Sequence, residues 1–273
     1  NLENKIEVAF NNSKKITDKI SKKIKQQYED NPYPRWINSH LRLYPCSISE
    51  FIAENKIKIY NPSIKKINNP EILIAGCGTG QQSINAATTY KDSKILAIDL
   101  SISSLKYAKR KTEELGINNI EYLQYDILDL KNLRRKFDII ECVGVLHHMA
   151  NPFKGLSKLI DCLNYGGLIN IGLYSKYARK KIINLREDIT RKKIKNNNSE
   201  IKLYRSLLMK NNSKKNQWLT NTSDFYSTSM FRDLLFNAHE QQFSLLQIKK
   251  MIDKLKLLFC GFENKKIVDL FKK

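Results

Sequence analysis

Five short apolar runs punctuate the middle of the chain: Ile72–Ala75, Ile95–Asp99, Ile120–Asp126, Phe137–Val143 and Gly167–Tyr174. Each has the length of a strand, and segments with helical spacing lie between them, such as Leu105, Ala108, Thr112 and Leu115. Buried strands alternating with helices predict βαβ units, and hence an α/β fold with a doubly wound, Rossmann-like, mostly parallel sheet covered on both faces. Outside this region the period is helical. Ile16, Ile20 and Ile24 recur at i+4 within an amphipathic helix expected over residues 1–30. The prolines of Asn31-Pro32-Tyr33-Pro34-Arg35-Trp36 must end that helix. A further short helix is expected from Ser47 to Asn55. After the fifth strand come helices over 176–195, 201–209 and from Met230, and strand character returns over Leu255–Phe262.

The pattern divides the chain into four parts. Residues 1–70 form an N-terminal helical, substrate-side segment and 71–175 a ligand-binding core. Residues 176–250 form a basic helical insertion or lid, and 251–273 return to the sheet, in shortened form. The first residue is Asn, as expected of a fragment or a processed product.

Charge alters this picture only locally. The 273 residues carry 48 Lys+Arg against 27 Asp+Glu, net +21. Residues 176–215 hold 14 basic and 3 acidic side chains, net +11, whereas residues 71–175 hold 12 and 11. Lys, Asn and Ile abound together, which reads as compositional drift on a solvated face; the rival reading is a platform for a polyanion. Five cysteines stand without any CxxC spacing, which excludes a disulfide framework and a zinc site and suits a reducing cytoplasm. No apolar run is long enough to span a membrane.

The candidate chemistry sits at the strand ends. Gly76-Cys77-Gly78-Thr79-Gly80 follows the first strand, where glycines allow a tight turn and close approach of a ligand to the backbone. Gln81 breaks the G-x-G-x-x-G dinucleotide fingerprint. Asp99, with Leu100 after it, ends the second strand, where a carboxylate can accept both hydroxyls of a ribose. Asp126 ends the third, suited to an adenine amine with Ile127 packing on the ring. The fourth ends Glu141-Cys142-Val143-Gly144-Val145-Leu146-His147-His148.

These motifs, with Gly166-Gly167-Leu168, resemble the class I S-adenosylmethionine-dependent methyltransferases over residues 70–175. The resemblance implies S-adenosyl-L-methionine as cofactor, held by Ala75, Gly76, Cys77, Gly78, Gly80, Asp99, Leu100, Asp126, Ile127, Cys142 and Val143. More narrowly, Asn31–Trp36 and Asp224-Phe225-Tyr226-Ser227-Thr228 resemble the methyltransferase domains that follow tetratricopeptide repeats in bacterial proteins, which implies an upstream repeat region absent from this chain. Ala75 departs from the many members with an acid at the end of the first strand, and Ile267–Phe271 is short for the seventh strand.

Missing motifs narrow the acceptor. The Asn/Asp-Pro-Pro-aromatic run of exocyclic-amine base methylation is absent, and no Pro-Cys follows the glycine loop to serve as a pyrimidine nucleophile. Methyl transfer to a small-molecule or protein acceptor is therefore expected, with RNA methylation and a non-catalytic cofactor-binding adapter as alternatives. His147 is the candidate general base. Arg35 is a candidate partner for the methionine carboxylate, and Tyr33, Trp36, Phe225 and Tyr226 are candidate substrate-side aromatics. No metal and no membrane partner are expected.

Overall fold

The sheet is built of six strands, β1 (Ala9–Phe10), β2 (Glu71–Ala75), β3 (Lys94–Asp99), β4 (Ile120–Gln124), β5 (Phe137–Val143) and β6 (Leu163–Gly172), in the order β1-β4-β3-β2-β5-β6. The computed structural model describes residues 6, 9–10, 16–39, 41–210, 217–263 and 268–270. Every pairing among these strands is parallel. The chain builds outward from β2 through β3 to β4, then crosses back to lay β5 and β6 on the other side. That reversal between β2 and β5 creates a crevice at the carboxyl ends of the strands, where ligands of doubly wound sheets bind.

The central strands β2, β3 and β5 are mostly apolar and buried because both faces are covered. Ile72, Ile74, Ala97 and Ile139 pack on one face with Ile48, Ile52, Ala86 and Ala108. Leu73, Ala75, Ile98 and Cys142 pack on the other with Leu130, Leu146, Leu156 and Leu159. The helices that supply these contacts are α1 (Lys19–Asp30), α2 (Ile48–Glu54), α3 (Gln81–Thr89), α4 (Ile102–Glu114) and α5 (Pro152–Ile160). Local signals set their ends: Ser47 and Glu50 form a reciprocal capping box on α2, and Ser101 caps α4.

After β6 the chain leaves the sheet at Ser175 and returns at Phe243, the two joined by a parallel bridge. Between them lie α6 (Lys180–Arg191), α7 (Asn198–Lys210), α8 (Gln217–Thr220) and α9 (Thr228–Phe236). They enclose a core of their own, with Ile182, Ile201, Leu219, Phe225, Phe231 and Leu235 at its centre.

Two expectations need correction. The strand expected over Leu255–Phe262 does not form: α10 (Leu245–Lys254) is followed by an extended segment, and no strand follows β6 among the described residues. Its apolar side chains find no neighbouring strand edge, although the Lys58 N–H donates to the Cys260 carbonyl at 3.1 Å. The helix expected over 1–30 is observed from Lys19, and Ala9–Phe10 instead pair with β4. Residues 1–5, 7–8 and 11–15 lie outside the described residues, as do 267 and 271 of the seventh-strand candidate 267–271, whose residues 268–270 are helical.

Candidate active site

The glycine loop is clasped by the protein itself. Gly76, Gly78 and Gly80 hold φ of +75°, +52° and +86°, the left-handed region that penalises a Cβ. The N–H groups of Gly76 and Cys77 both donate to the Ile98 carbonyl, at 2.8 and 2.9 Å. A Cβ on Gly76 would lie 2.3 Å from Val145 Cγ2, and one on Gly78 2.6 Å from the Tyr33 carbonyl oxygen. The Asn31–Trp36 segment is therefore a strap across the loop. Thr79 Oγ1 donates to the Pro34 carbonyl, and Trp36 Nε1 donates to the Thr79 carbonyl at 3.1 Å. Helix α3 opens directly from Gly80, and no side chain caps its first N–H groups.

Asp99 closes this unit. Its Oδ2 accepts the Gly78 N–H at 2.8 Å and its Oδ1 accepts the Ser101 N–H at 2.9 Å. Each carboxylate oxygen keeps a second lone pair for a hydroxyl. Burial raises its pKa, and the backbone donors oppose that shift. Asp126 Oδ1 accepts the Leu128 N–H at 2.9 Å, and burial also raises this pKa. Leu100, Tyr125 and Ile127 complete this end of the crevice, and Ser21 and Ile24 of α1 roof it.

The crevice is a cavity of about 780 Å³. Toward α3 it ends at Glu141, whose Oε2 accepts Gln82 Nε2 at 2.6 Å. Burial pushes that carboxyl up to about 6. Toward the insertion it ends in Tyr28, Tyr33, Tyr174, His148 and Asp233. Tyr28 Oη donates to Asp233 Oδ1 at 2.7 Å and lies 3.4 Å from His148 Nε2; Asn237 Nδ2 donates to the same Asp233 oxygen at 2.9 Å. His148 Nδ1 sits 2.7 Å from the His239 carbonyl, which can only accept, so the proton is on Nδ1 and Nε2 keeps its lone pair. Burial lowers the His148 pKa and raises that of Tyr28, so both are neutral near pH 7.

Asp99, Asp126, Glu141, Asp233 and Glu263 line the cavity, and no Lys or Arg does among the described residues. Arg179 comes nearest to an exception, but it stacks on the Tyr174 ring at 3.4 Å and pairs with Glu240 at 3.4 Å.

Of the residues singled out in the sequence, Gly76, Cys77, Gly78, Asp99, Leu100, Asp126, Ile127, Val143 and Tyr33 meet around this cavity. Others do not. Ala75 and Cys142 are fully buried in the core and do not line the cavity. Gly80 packs against α4, where a Cβ would lie 2.6 Å from that of Ala108. Arg35 is exposed and does not line the cavity, and Trp36 is buried behind the glycine loop. Phe225 is fully buried in the insertion's core, and Tyr226 is 64% exposed. His147 is fully buried, stacks on Tyr174 at 3.9 Å and has no hydrogen bond to either ring nitrogen. Burial lowers its pKa to about 2, and its ring does not line the cavity.

The sequence reading passed over Tyr28, Gln82, His148, Tyr174 and Asp233. Ser21, Ile24 and Tyr28 do carry a signal, a three- and four-residue spacing on one face of α1. Among the described residues no group of three or more His, Cys, Asp or Glu side chains forms a metal site, and no helix is long and apolar enough to cross a membrane.

The positive-φ loop, the paired lone pairs of Asp99 and the acid-lined cavity suit a nucleoside-bearing cation such as S-adenosylmethionine. Comparison with known proteins points the same way. The model of a family described as a methyltransferase domain matches residues 68–247. An uncharacterised protein of Synechococcus sp. is 36% identical over 125 residues, covering 45% of this chain and 30% of its own. A tRNA U34 carboxymethyltransferase of Campylobacter lari is 28% identical over 116 residues, covering 42% and 38%. The solved structure of PKMT2 from Rickettsia typhi in complex with AdoHcy superposes with a TM-score of 0.65 at 22% identity, covering 85% of this chain and 46% of that one. The chain spans about half or less of the length of these relatives.

Proposed function

The chain belongs to the methyltransferase-domain family, and we propose that it is a class I S-adenosylmethionine-dependent methyltransferase whose acceptor is an amine on a small molecule or a protein. The observation that carries this reading is the sign of the cavity. A chain with net charge +21 presents five carboxylates and no Lys or Arg to its ligands among the described residues. Such a wall attracts a sulfonium and an ammonium and repels phosphate or carboxylate. Gly76, Gly78, Asp99, Leu100, Asp126 and Ile127 are the residues that would hold the cofactor, which supplies a methyl group on a positively charged sulfur.

The acceptor then belongs among Tyr28, Tyr33, Tyr174, His148 and Asp233. Phenol rings and a carboxylate together suit a cationic amine. The amine must lose a proton before its lone pair can attack, and neutral His148 Nε2, 3.4 Å from Tyr28 Oη, is a cavity group able to take it. The nitrogen–carbon bond forms as the carbon–sulfur bond breaks, and sulfur departs as a neutral thioether. The protein's main contribution is alignment and exclusion of water. Since α9 carries Asp233, residues 176–250 act as the lid that completes this end.

The basic face of the insertion gives weaker support to an RNA acceptor. Several of its cations already have partners: Arg186 with Glu240 at 2.8 Å, and Arg191 and Lys192 with Asp188 at 2.5 and 2.7 Å. The resemblance of Asn31–Trp36 and Asp224–Thr228 to tetratricopeptide-linked methyltransferase domains supports a further proposal, that a helical repeat region presents the acceptor.

Labelled S-adenosylmethionine offered with polyamines, lysine-containing peptides, tRNA and carboxylic acids tests the reading. Label is expected on amine nitrogen and lost in Asp233→Asn. Label on tRNA or on a carboxylate overturns it.

A further inference from the structure

Glu141 lines the cavity without a cationic partner among the described residues, and unlike Asp99 and Asp126 its carboxylate accepts no backbone N–H. Its strand position is in register with Ile74 of β2, two residues before Gly76, and with Asn170 of β6. Both neighbours stand on the face that carries α3, so the side chain lies under the glycine loop and the first turn of α3. One oxygen, Oε2, accepts from Gln82, and Oε1 has no hydrogen-bond partner among the described residues. The charged group that bears on it is Glu263, of the same sign. Burial holds its proton up to about 6, the behaviour of a carboxylate that lacks its counter-ion. A buried carboxylate of this kind is costly to the fold, and a ligand that brings a positive charge to it relieves the cost.

We propose that Glu141, oriented by Gln82, is the anchor for the α-ammonium group of the cofactor's methionine. The assignment rests on the S-adenosylmethionine reading of the cavity and goes beyond it. Neither the exposed Arg35 nor the buried Ala75 lines the cavity. Glu141 supplies the negative charge there from the neighbouring strand. Gln82 is a positioning residue, since its amide fixes one carboxylate oxygen and leaves the other for the ligand.

The test is calorimetric titration of wild type and Glu141→Gln with three ligands. They are S-adenosylhomocysteine, its deaminated analogue, and 5′-methylthioadenosine, which lacks the amino-acid part. Wild type is expected to bind S-adenosylhomocysteine at least about tenfold more tightly than the deaminated analogue. In Glu141→Gln that difference should collapse while 5′-methylthioadenosine binds as in wild type. The wild-type comparison needs no variant to fold, and failure to discriminate there overturns the proposal. Equal weakening of all three ligands in the variant overturns it too, by showing a merely structural role. Unchanged affinity for S-adenosylhomocysteine with a raised KM for an amine acceptor would move Glu141 to the acceptor side, against the proposal. Wild type that binds none of the three ligands would remove the cofactor reading itself, and the anchor with it.

Discussion

Gly78 and Asp99 are joined by a 2.8 Å hydrogen bond from the glycine N–H to Oδ2 of the carboxylate, so the loop and the acid proposed to hold the ribose form one unit. Asp99 lies on β3 and Gly78 beyond β2, and the bond fixes the loop to the neighbouring strand at the height where a nucleoside would lie.

Asp99→Ala should therefore do two things at once. Removing a charge-assisted contact to ribose costs about 1.5–3 kcal/mol, roughly ten- to a hundredfold in affinity for S-adenosylhomocysteine. It also orphans the Gly78 and Ser101 N–H groups, so the melting temperature should fall. Calorimetry together with a thermal melt checks both; unchanged affinity would take Asp99 out of the site.

Gly78→Ala tests the clasp. The added Cβ is directed at the Tyr33 carbonyl, 2.6 Å away, in a backbone region L-residues avoid. Steric interference with the ligand alone would leave stability untouched. The geometry predicts instead a loss of about 1–3 kcal/mol in stability together with weaker cofactor binding. A variant that melts like wild type would show that the strap yields freely.

The sheet and the nucleoside end of the site were legible because their signals are local. The five runs give five parallel strands, and Asp99 and Asp126 stand at or just past strand ends where the topology collects ligands. The acceptor end was not legible, because it is assembled across distance: Tyr28 and Asp233 are 205 positions apart and meet only when the insertion folds back. Phe225 misled for a related reason. Nothing in its neighbourhood announces that the insertion has a core of its own to fill. His147 and His148 are adjacent, and only the turn at 146–148 decides which ring enters the cavity.

The histidine pair gives a direct contrast. His147 has two buried nitrogens without partners, so His147→Phe should keep the stack on Tyr174 and leave stability and methyl transfer within a few-fold of wild type. His148→Ala should lower kcat by about a hundredfold or more if Nε2 takes the proton. Steady-state kinetics with an amine acceptor decides; the reverse order would restore His147 as the base.

Charge on the insertion should matter little. Lys192, Lys193 and Lys195 are exposed, and the exposed pair of Lys192 with Asp188 contributes at most about 1 kcal/mol. Replacing all three by Gln should leave cofactor affinity and amine methylation unchanged between about 0.05 and about 0.2 M salt, where release of counterions from a polyanion would show. Activity that falls in the variant and flattens in its salt dependence would favour a polyanionic acceptor.

The pH dependence of Glu141 separates the cost of its burial from its use. Its carboxyl titrates near 4.5 when exposed and is pushed up to about 6 by burial. The groups facing it are Gln82 at the start of α3, Tyr90 at its end, and Glu263 of the C-terminal segment. Between these two values the folded chain holds a proton that the unfolded chain has lost. Stability associated with this group is therefore present below about pH 4.5 and lost as pH rises through 6, to a total of about 2 kcal/mol. Glu141→Gln should remove that slope from the pH profile of the melting temperature. In wild type an ammonium ligand favours the ionised form, so S-adenosylhomocysteine should bind more tightly as pH rises from about 5 to about 7, with proton release at and below the free carboxyl's value of about 6. Titrations in buffers of different ionisation enthalpy measure that release directly, and 5′-methylthioadenosine should produce none. Proton uptake on binding S-adenosylhomocysteine would mean that the ligand favours the neutral acid, and that no cation reaches Glu141.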